Sequence, residues 1–547
     1  MEQGRLLRHA LQWVRRKVRA LLLGGAAALL IAATDAPLPP DQAAMKAHVA
    51  FLADDALKGR QAGSPEHDVA AAYVAARMQE AGLTPAGDNG TWRQTVPLVA
   101  ARPLEGTASL TRAGATQPLV AGTDFVGRAS LTDADRTVEG EVVFAGYGVV
   151  DPTRGVDDYR GLDVNGRIVA VLYGGPPGLN SEVAAHYGNR EVKAEIAGKR
   201  GAKGIVFIES AAIRATYDFP AIVEAWSGPS MNWTRPGQPR GDGAPQLAAI
   251  SEAGAAKLFA RSPVAWDRVR KADAAKKPVP TGALGVTARF AQRSEIVSLT
   301  SANIVGKLEG SDPALRNEYV VLTAHLDHIG VGEPVNGDAI NNGAMDNAMG
   351  IASMLEAARA FRDAGAPPKR SLLFLAVTAE EEGLIGSDYY ARFPTVPKGS
   401  IVADVNLDMP IMTYKFEDII AYGADRSSIG PVLAKVASAE GLKLSPDPAP
   451  EESNFVRTDH YSFVKQGVPS VSIDAGWSGP GKAATKDFLD KHYHQPSDDM
   501  KLPFDWASAR RFAMLNYKLA RQLADGPRPT WNKGDFFGSL YGGTPSQ

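Results

Sequence analysis

The sequence predicts an α/β protein: a mixed, mostly parallel sheet with helices on both faces, interrupted by an inserted β-rich module. Three observations predict this. Short apolar runs alternate with helical patterns from about residue 300 to residue 526. Those runs are apolar at consecutive positions, as in SLLFLAV at 371–377, which is the texture of strands buried on both faces. Between about 137 and 283 the texture changes to brief β-rich segments broken by Gly and Pro.

The elements follow in order. Arg15, Arg16, Lys17 and Arg19 precede the 14-residue apolar run ALLLGGAAALLIAA at 20–33. A membrane span needs about 20 such residues, so residues 1–34 read as a cleaved export signal. The expected location is then periplasmic or extracellular, with an uncleaved inner-membrane anchor as the alternative. The Arg15–Arg16 pair is compatible with a twin-arginine export route. Residues 41–84 carry apolar residues at helical spacing on either side of the turn-rich KGRQAGSPE, and Gly82 suits a helix end. Within 137–283, VEGEVVFAGYG, GRIVAVLYGGPPG and AKGIVFIES read as strands, EVKAEIAGKR as a helix, and 226–245 as a loop.

Strands are then expected at 318–324, 371–379, 401–409 and 468–476, and helices at 348–365, 429–441 and 504–526. The tail from 527 to 547 reads as irregular. One discontinuous domain, 40–136 with 284–526, would surround the insertion at 137–283.

Composition excludes several classes. The 547 residues carry 44% hydrophobic and 22% charged side chains and a net charge of −2, without the basic excess that nucleic acid or an anionic membrane surface would favour. No nucleic-acid partner is therefore expected, and a membrane partner only if the leader stays uncleaved. There is no cysteine, so disulfides, thiolate metal sites and a lipoprotein anchor are excluded.

Ligands of open α/β sheets bind beyond the carboxyl ends of the strands. There the sequence offers His325, Asp327 and His328 in HLDHIG, then Glu380, Glu381 and Glu382 in TAEEEG, then Asp408. Asp346 lies just before a helix, and His492 and His494 lie in HYHQPSDD. Clusters of His and carboxylate suit zinc, and also Mn2+ or Co2+. The carboxylates exceed what one zinc requires, whereas a two-metal hydrolytic site with a shared carboxylate would use them.

HLDHIG, GAMDNAMG, TAEEEGLIGS, NLDM and YHQPSDD, in this order, resemble the co-catalytic zinc aminopeptidases of the M28 metallopeptidase family. Residues 48–84 resemble the family's N-terminal opening, and 137–283 resemble a protease-associated domain inserted in some members. The resemblance implies the following roles. His325, Asp346, Glu381, Asp408 and His494 would bind two Zn2+ ions, with Asp346 shared between them. His325 and Asp408 would complete one site, Glu381 and His494 the other. Asp327 would orient His325, Glu380 would be the general base, and a cis peptide would follow Asp346. Tyr493 would donate to the oxyanion. The substrate would be a peptide with a free N-terminus.

Other residues read as structural. His328 would stand behind the ligands. His492 is the rival of His494, and Asp459 and His460 would be structural or line the pocket. Glu382 reads as exposed, and Lys58–Gly59–Arg60 as a turn with solvated charges. The inserted module shows no ligand cluster of its own. Beside the aminopeptidase expectation stand a carboxypeptidase or glutaminyl-cyclase-like enzyme on the same fold, and a metal-free binding homologue. The complete ligand set argues against the last.

Overall fold

The computed structural model describes residues 38–235 and 243–543. The leader expected at 1–34 and residues 544–547 of the tail lie outside the described residues. The chain divides into two compact units, and it passes between them at 98/99 and 297/298. Among the described residues, no helix is long and apolar enough to cross a membrane.

The larger unit comprises 38–98 and residues from 298 onward. It opens with helices α1 (Pro40–Leu52) and α2 (Pro65–Glu80). Pro65 occupies the first turn of α2, and the Ser64 hydroxyl accepts the His67 N–H, an N-cap of the expected kind. The sheet is built from β1 (Gly282–Leu308), β2 (Tyr319–His325), β3 (Ser371–Val377), β4 (Ile401–Asn406), β5 (Asp418–Tyr422), β6 (Lys443–Ser445) and β7 (Ser470–Ala475). Their order is β6–β5–β7–β4–β2–β3–β1. The central pairings β7–β4, β4–β2 and β2–β3 are parallel, as is β5–β6, while β5–β7 and β1–β3 are antiparallel. The sheet is thus mixed and mostly parallel, as the apolar runs imply.

Strand alternation sorts these runs onto two faces. Val320, Leu322, Ala324, Leu372, Phe374 and Ala376 enter a core shared with α1, α2, α3 (Met349–Ala364) and α4 (Trp506–Asp525). Val321, Leu373, Leu375 and Val377 enter a second core with Tyr390 and Phe463. Helix α3 ends where Gly365 takes a left-handed conformation at φ 70°, and α4 begins where the Asp505 carboxylate accepts the Ser508 N–H. The tail departs from the irregular expectation. Asp535 caps a short helix, α5 (Phe536–Tyr541), Phe537 is fully buried, and the Trp531 indole donates to the Gly467 carbonyl. Two aromatic anchors hold a segment that its Gly and Pro content had suggested would stay loose.

The second unit covers 99–297 and contains the region expected as an insertion. Strands Asp135–Phe144, Ile168–Leu172, Gly204–Ile208 and Gln246–Ile250 pair in parallel in that order, and Phe125–Gly127 adds an antiparallel edge. A long strand, Arg93–Arg112, was not anticipated, because Pro97 and Pro103 obscure its alternation. Ser230–Trp233 is a strand inside the stretch read as a loop. Among the described residues, no three metal-capable side chains converge in this unit.

Helix α3 starts hard against the sheet. A Cβ on Gly350 would stand 2.1 Å from Asn347 Oδ1 and 2.4 Å from the Leu407 carbonyl oxygen. Gly350→Ala should therefore destabilise the larger unit by about 1–3 kcal/mol through overpacking. Denaturant unfolding of the variant checks this, and wild-type stability would contradict the close approach.

Candidate metal centre at the strand ends

Register brings the polar residues together. His325, the last residue of β2, pairs with Val377, the last residue of β3. Thr323 pairs with Asn406, so Asp408 follows β4 at the level of His325. Glu380 and Glu381 follow β3 by three and four residues. Asp346 sits in the segment before α3, and its peptide bond to Asn347 is cis. The Asn347 amide ties this segment to the end of β4: Nδ2 donates to the Leu407 carbonyl at 2.9 Å, and Oδ1 accepts the Met409 and Gly350 N–H groups at 3.0 Å.

Asp346 lies between two imidazoles. Its Oδ1 is 3.2 Å from His325 Nε2, and its Oδ2 is 3.3 Å from His494 Nε2. Asp408 Oδ1 is 3.0 Å from the first ring nitrogen, and Glu381 Oε2 is 3.0 Å from the second. Two donor groups result, each made of one histidine nitrogen, one oxygen of Asp346 and one oxygen of a further carboxylate. In addition, His325, Asp346 and Glu381 offer ligand atoms all within 4.8 Å of one another.

These donors fit metal ions better than they fit one another. Tetrahedral zinc with ligands at about 2.0–2.1 Å sets its ligand atoms about 3.3–3.4 Å apart, close to the separations seen. His494 Nε2 is buried and makes no hydrogen bond, despite two carboxylate oxygens within 3.3 Å. His325 Nδ1 faces the Asp327 carbonyl oxygen at 3.1 Å, which can only accept. A neutral His325 therefore turns the bare lone pair of Nε2 toward two carboxylates, an arrangement that a cation between them would relieve.

The electrostatics carry the same signature. Burial, opposed by His325 and reinforced by Asp408 and Glu381, pushes the Glu380 carboxyl well above the ordinary carboxylate range. Burial also raises Asp327 to about 7. At His325 and His494 burial favours the neutral ring, yet the facing carboxylates outweigh it and push both well above 6.5. The cluster is acidic and short of positive charge.

Among the other residues singled out in the sequence, Asp327 departs from its expected contact. The Asp327 carboxylate accepts the backbone N–H groups of Glu380 and Glu381 at 3.2 and 3.4 Å, while it is the Asp327 carbonyl that meets the His325 ring. His328 is buried and its Nδ1 lies 2.6 Å from Glu381 Oε1, directly behind the cluster. His492 instead pairs with Ser497 at 2.9 Å. Tyr493 stacks on the His494 ring with centroids 3.9 Å apart. Asp459 and His460 are fully buried, and the Asp459 oxygens make no hydrogen bond.

Glu382 is half-buried rather than exposed, and burial, reinforced by the neighbouring Glu381, raises its carboxyl above the ordinary carboxylate range. Arg60 is not a solvated turn residue but a wholly buried one. Asp498 was passed over in the sequence. Its carboxylate accepts the N–H groups of Met345 and Asp346 at 2.8 and 3.0 Å. Its place in HYHQPSDD, four residues after His494, was the available signal.

Asp327→Asn replaces one accepting oxygen with an NH2 group aimed at a backbone N–H. Such a change behind a ligand should weaken zinc binding roughly 10- to 100-fold. Competition with a chromogenic chelator measures this, and wild-type affinity would contradict the role drawn from the two N–H contacts.

The model of peptidase family M28 matches residues 303–520. Leupeptin-inactivating enzyme 1 of Streptomyces exfoliatus is 28% identical over 246 residues, 42% of this chain and 50% of the relative. Probable leucine aminopeptidase 2 of Aspergillus fumigatus is 27% identical over 263 residues, 45% and 48% of the two chains. The chain spans about half the length of these curated relatives. Among solved structures, an aminopeptidase from Aneurinibacillus sp. strain AM-1 aligns over 89% of this chain and 94% of its own, at 21% identity and a TM-score of 0.48. Residues 303–520, which hold every residue of the metal centre just described, are the stretch that resembles peptidase family M28.

Proposed function

We propose that the protein is an exported, zinc-dependent aminopeptidase that removes N-terminal residues from peptides. The observation that carries this reading is the Asp346 carboxylate, which offers one oxygen to the donor group of His325 and the other to that of His494. His325, Asp408 and Asp346 would hold one ion, and His494, Glu381 and Asp346 the other. Zinc bound there would supply an acidified water and a polarised peptide carbonyl.

The side chains carry the remaining work. Glu380, next to the ligand Glu381 but outside both donor groups, would accept the proton of the attacking water and return it to the leaving amine. Tyr493, held against His494 by stacking, would present its hydroxyl to the developing oxyanion. The excess of carboxylates would attract the free amine of a substrate, which favours an N-terminal over a C-terminal exopeptidase. The leader expected at 1–34 supports export. Residues 137–283 are read as a protease-associated-like insertion.

Glu380→Gln should lower kcat by roughly 10²–10⁴-fold, the range of a lost general base, while zinc content stays at the wild-type level. Normal turnover in that variant would contradict the mechanism. In wild-type protein, aminoacyl amides with a free amine should be hydrolysed and their N-acetyl counterparts left intact. Equal hydrolysis of both, cyclisation of N-terminal glutamine, or release of C-terminal residues would contradict the aminopeptidase reading.

A further inference from the structure

The metal centre is held from behind by a single cation that comes from far away in the sequence. Arg60 lies in the KGR turn between α1 and α2, and it is 0% exposed. A guanidinium has five N–H donors in a rigid fork, and here all five are used. Nε donates to the Leu326 carbonyl at 2.7 Å. One terminal nitrogen donates to the carbonyls of Leu52 and Asn342 at 3.0 and 2.5 Å. The other donates to those of Gly343 and Asp346 at 2.8 and 3.3 Å. None of the five bonds goes to a carboxylate, although Asp346, Asp498, Asp327 and Glu381 all act on its charge.

The choice of acceptors is informative. Leu326 follows His325 directly, and Asn342, Gly343 and Asp346 form the segment that carries the shared carboxylate. Arg60 therefore joins the backbone at the first histidine to the backbone at Asp346. Asp498 completes the hold from the other side by accepting the Met345 and Asp346 N–H groups. The turn is built for this delivery. Lys58, Gly59 and Arg60 all have positive φ, at 43°, 70° and 40°. A Cβ on Gly59 would stand 2.4 Å from the Asn341 carbonyl oxygen. A lysine at position 60 would keep the charge but have only three donors for five acceptors.

We infer that Arg60 is a positioning residue of the metal centre. Its guanidinium sets the separation between His325 and Asp346, and thereby the fit of the centre to its metal. The inference rests on the proposed metal-binding role of those two residues.

The test compares Arg60→Lys with Arg370→Lys in the full chain. Arg370 is also a buried arginine, 3% exposed, which donates to Glu318 and to the carbonyls of Leu523, Ala524 and Gly526 and touches no residue of the centre. Both variants should lose thermal stability. Only Arg60→Lys should weaken zinc binding, by roughly 10- to 100-fold, and change the visible absorption bands of the Co2+-loaded protein. If it matches Arg370→Lys in zinc affinity and Co2+ spectrum, Arg60 is a staple of the fold alone and the inference is overturned.

A measurement on wild-type protein stands independently of how the variants fold. With 15N-labelled arginine, the Arg60 guanidinium resonances should shift when zinc is added, and unchanged resonances would overturn the inference. Wild-type protein that binds no zinc would overturn the metal reading itself. Wild-type protein that binds zinc beside an unaffected Arg60→Lys would overturn the positioning role only.

Discussion

Five carboxylates, those of Asp327, Asp346, Glu380, Glu381 and Asp408, meet at the ends of β2, β3 and β4 with too little positive charge around them, and the local structure is arranged around that constraint. Like charges brought this close out of water are costly unless cations or hydrogen bonds offset them. Three devices do so for these five and for the neighbouring Asp498. Backbone N–H groups of Glu380 and Glu381 point at Asp327, those of Met345 and Asp346 point at Asp498, and the Arg60 guanidinium lies behind Asp346. What remains unbalanced lies in front, where histidine nitrogens and carboxylate oxygens face one another at 3.0–3.3 Å. In the proposed reading, two divalent cations occupy that space.

The sheet makes the constraint possible. Parallel pairing of β2 with β3 and β4 brings their carboxyl ends level, so residues 325, 380, 381 and 408 converge without any long side chain having to reach. The remaining donors, Asp346 and His494, come from irregular segments whose backbone is fixed by buried side chains. Asn347, Asp498 and Arg60 each bond main-chain groups rather than ligand atoms, which leaves the ligand atoms free. Placing the fixing groups behind the backbone lets a crowded acidic site keep one geometry.

Most of this was legible in the sequence because its signals are local. Consecutive apolar residues marked the buried strands, and the polar residue types that follow them marked the site. HLD, EEE and NLDM at the strand ends, and MDN and YHQPSDD in the segments that border helices, can be read without tertiary information. Most of what escaped depends on contacts between residues far apart in the sequence. A lone arginine after Lys58–Gly59 looks the same whether its fork meets water or five carbonyls. Glu382 reads as solvated until Gln61 packs beside it. The tail reads as loose until Trp531 and Phe537 bury themselves. Asp327 shows a finer limit: its place after β2 marked it as a candidate and the family resemblance implied its role, but which of its groups meets His325 is decided by backbone geometry that neither encodes.

The central claim is that Asp346 is shared between two metal ions. Anomalous scattering at the zinc edge from crystals of the zinc-loaded protein tests it most directly. The account predicts two peaks per chain, about 3.5–4 Å apart, one beside His325 and Asp408, the other beside His494 and Glu381, and both in contact with Asp346. A single peak, or peaks that leave Asp346 unbound, would contradict it.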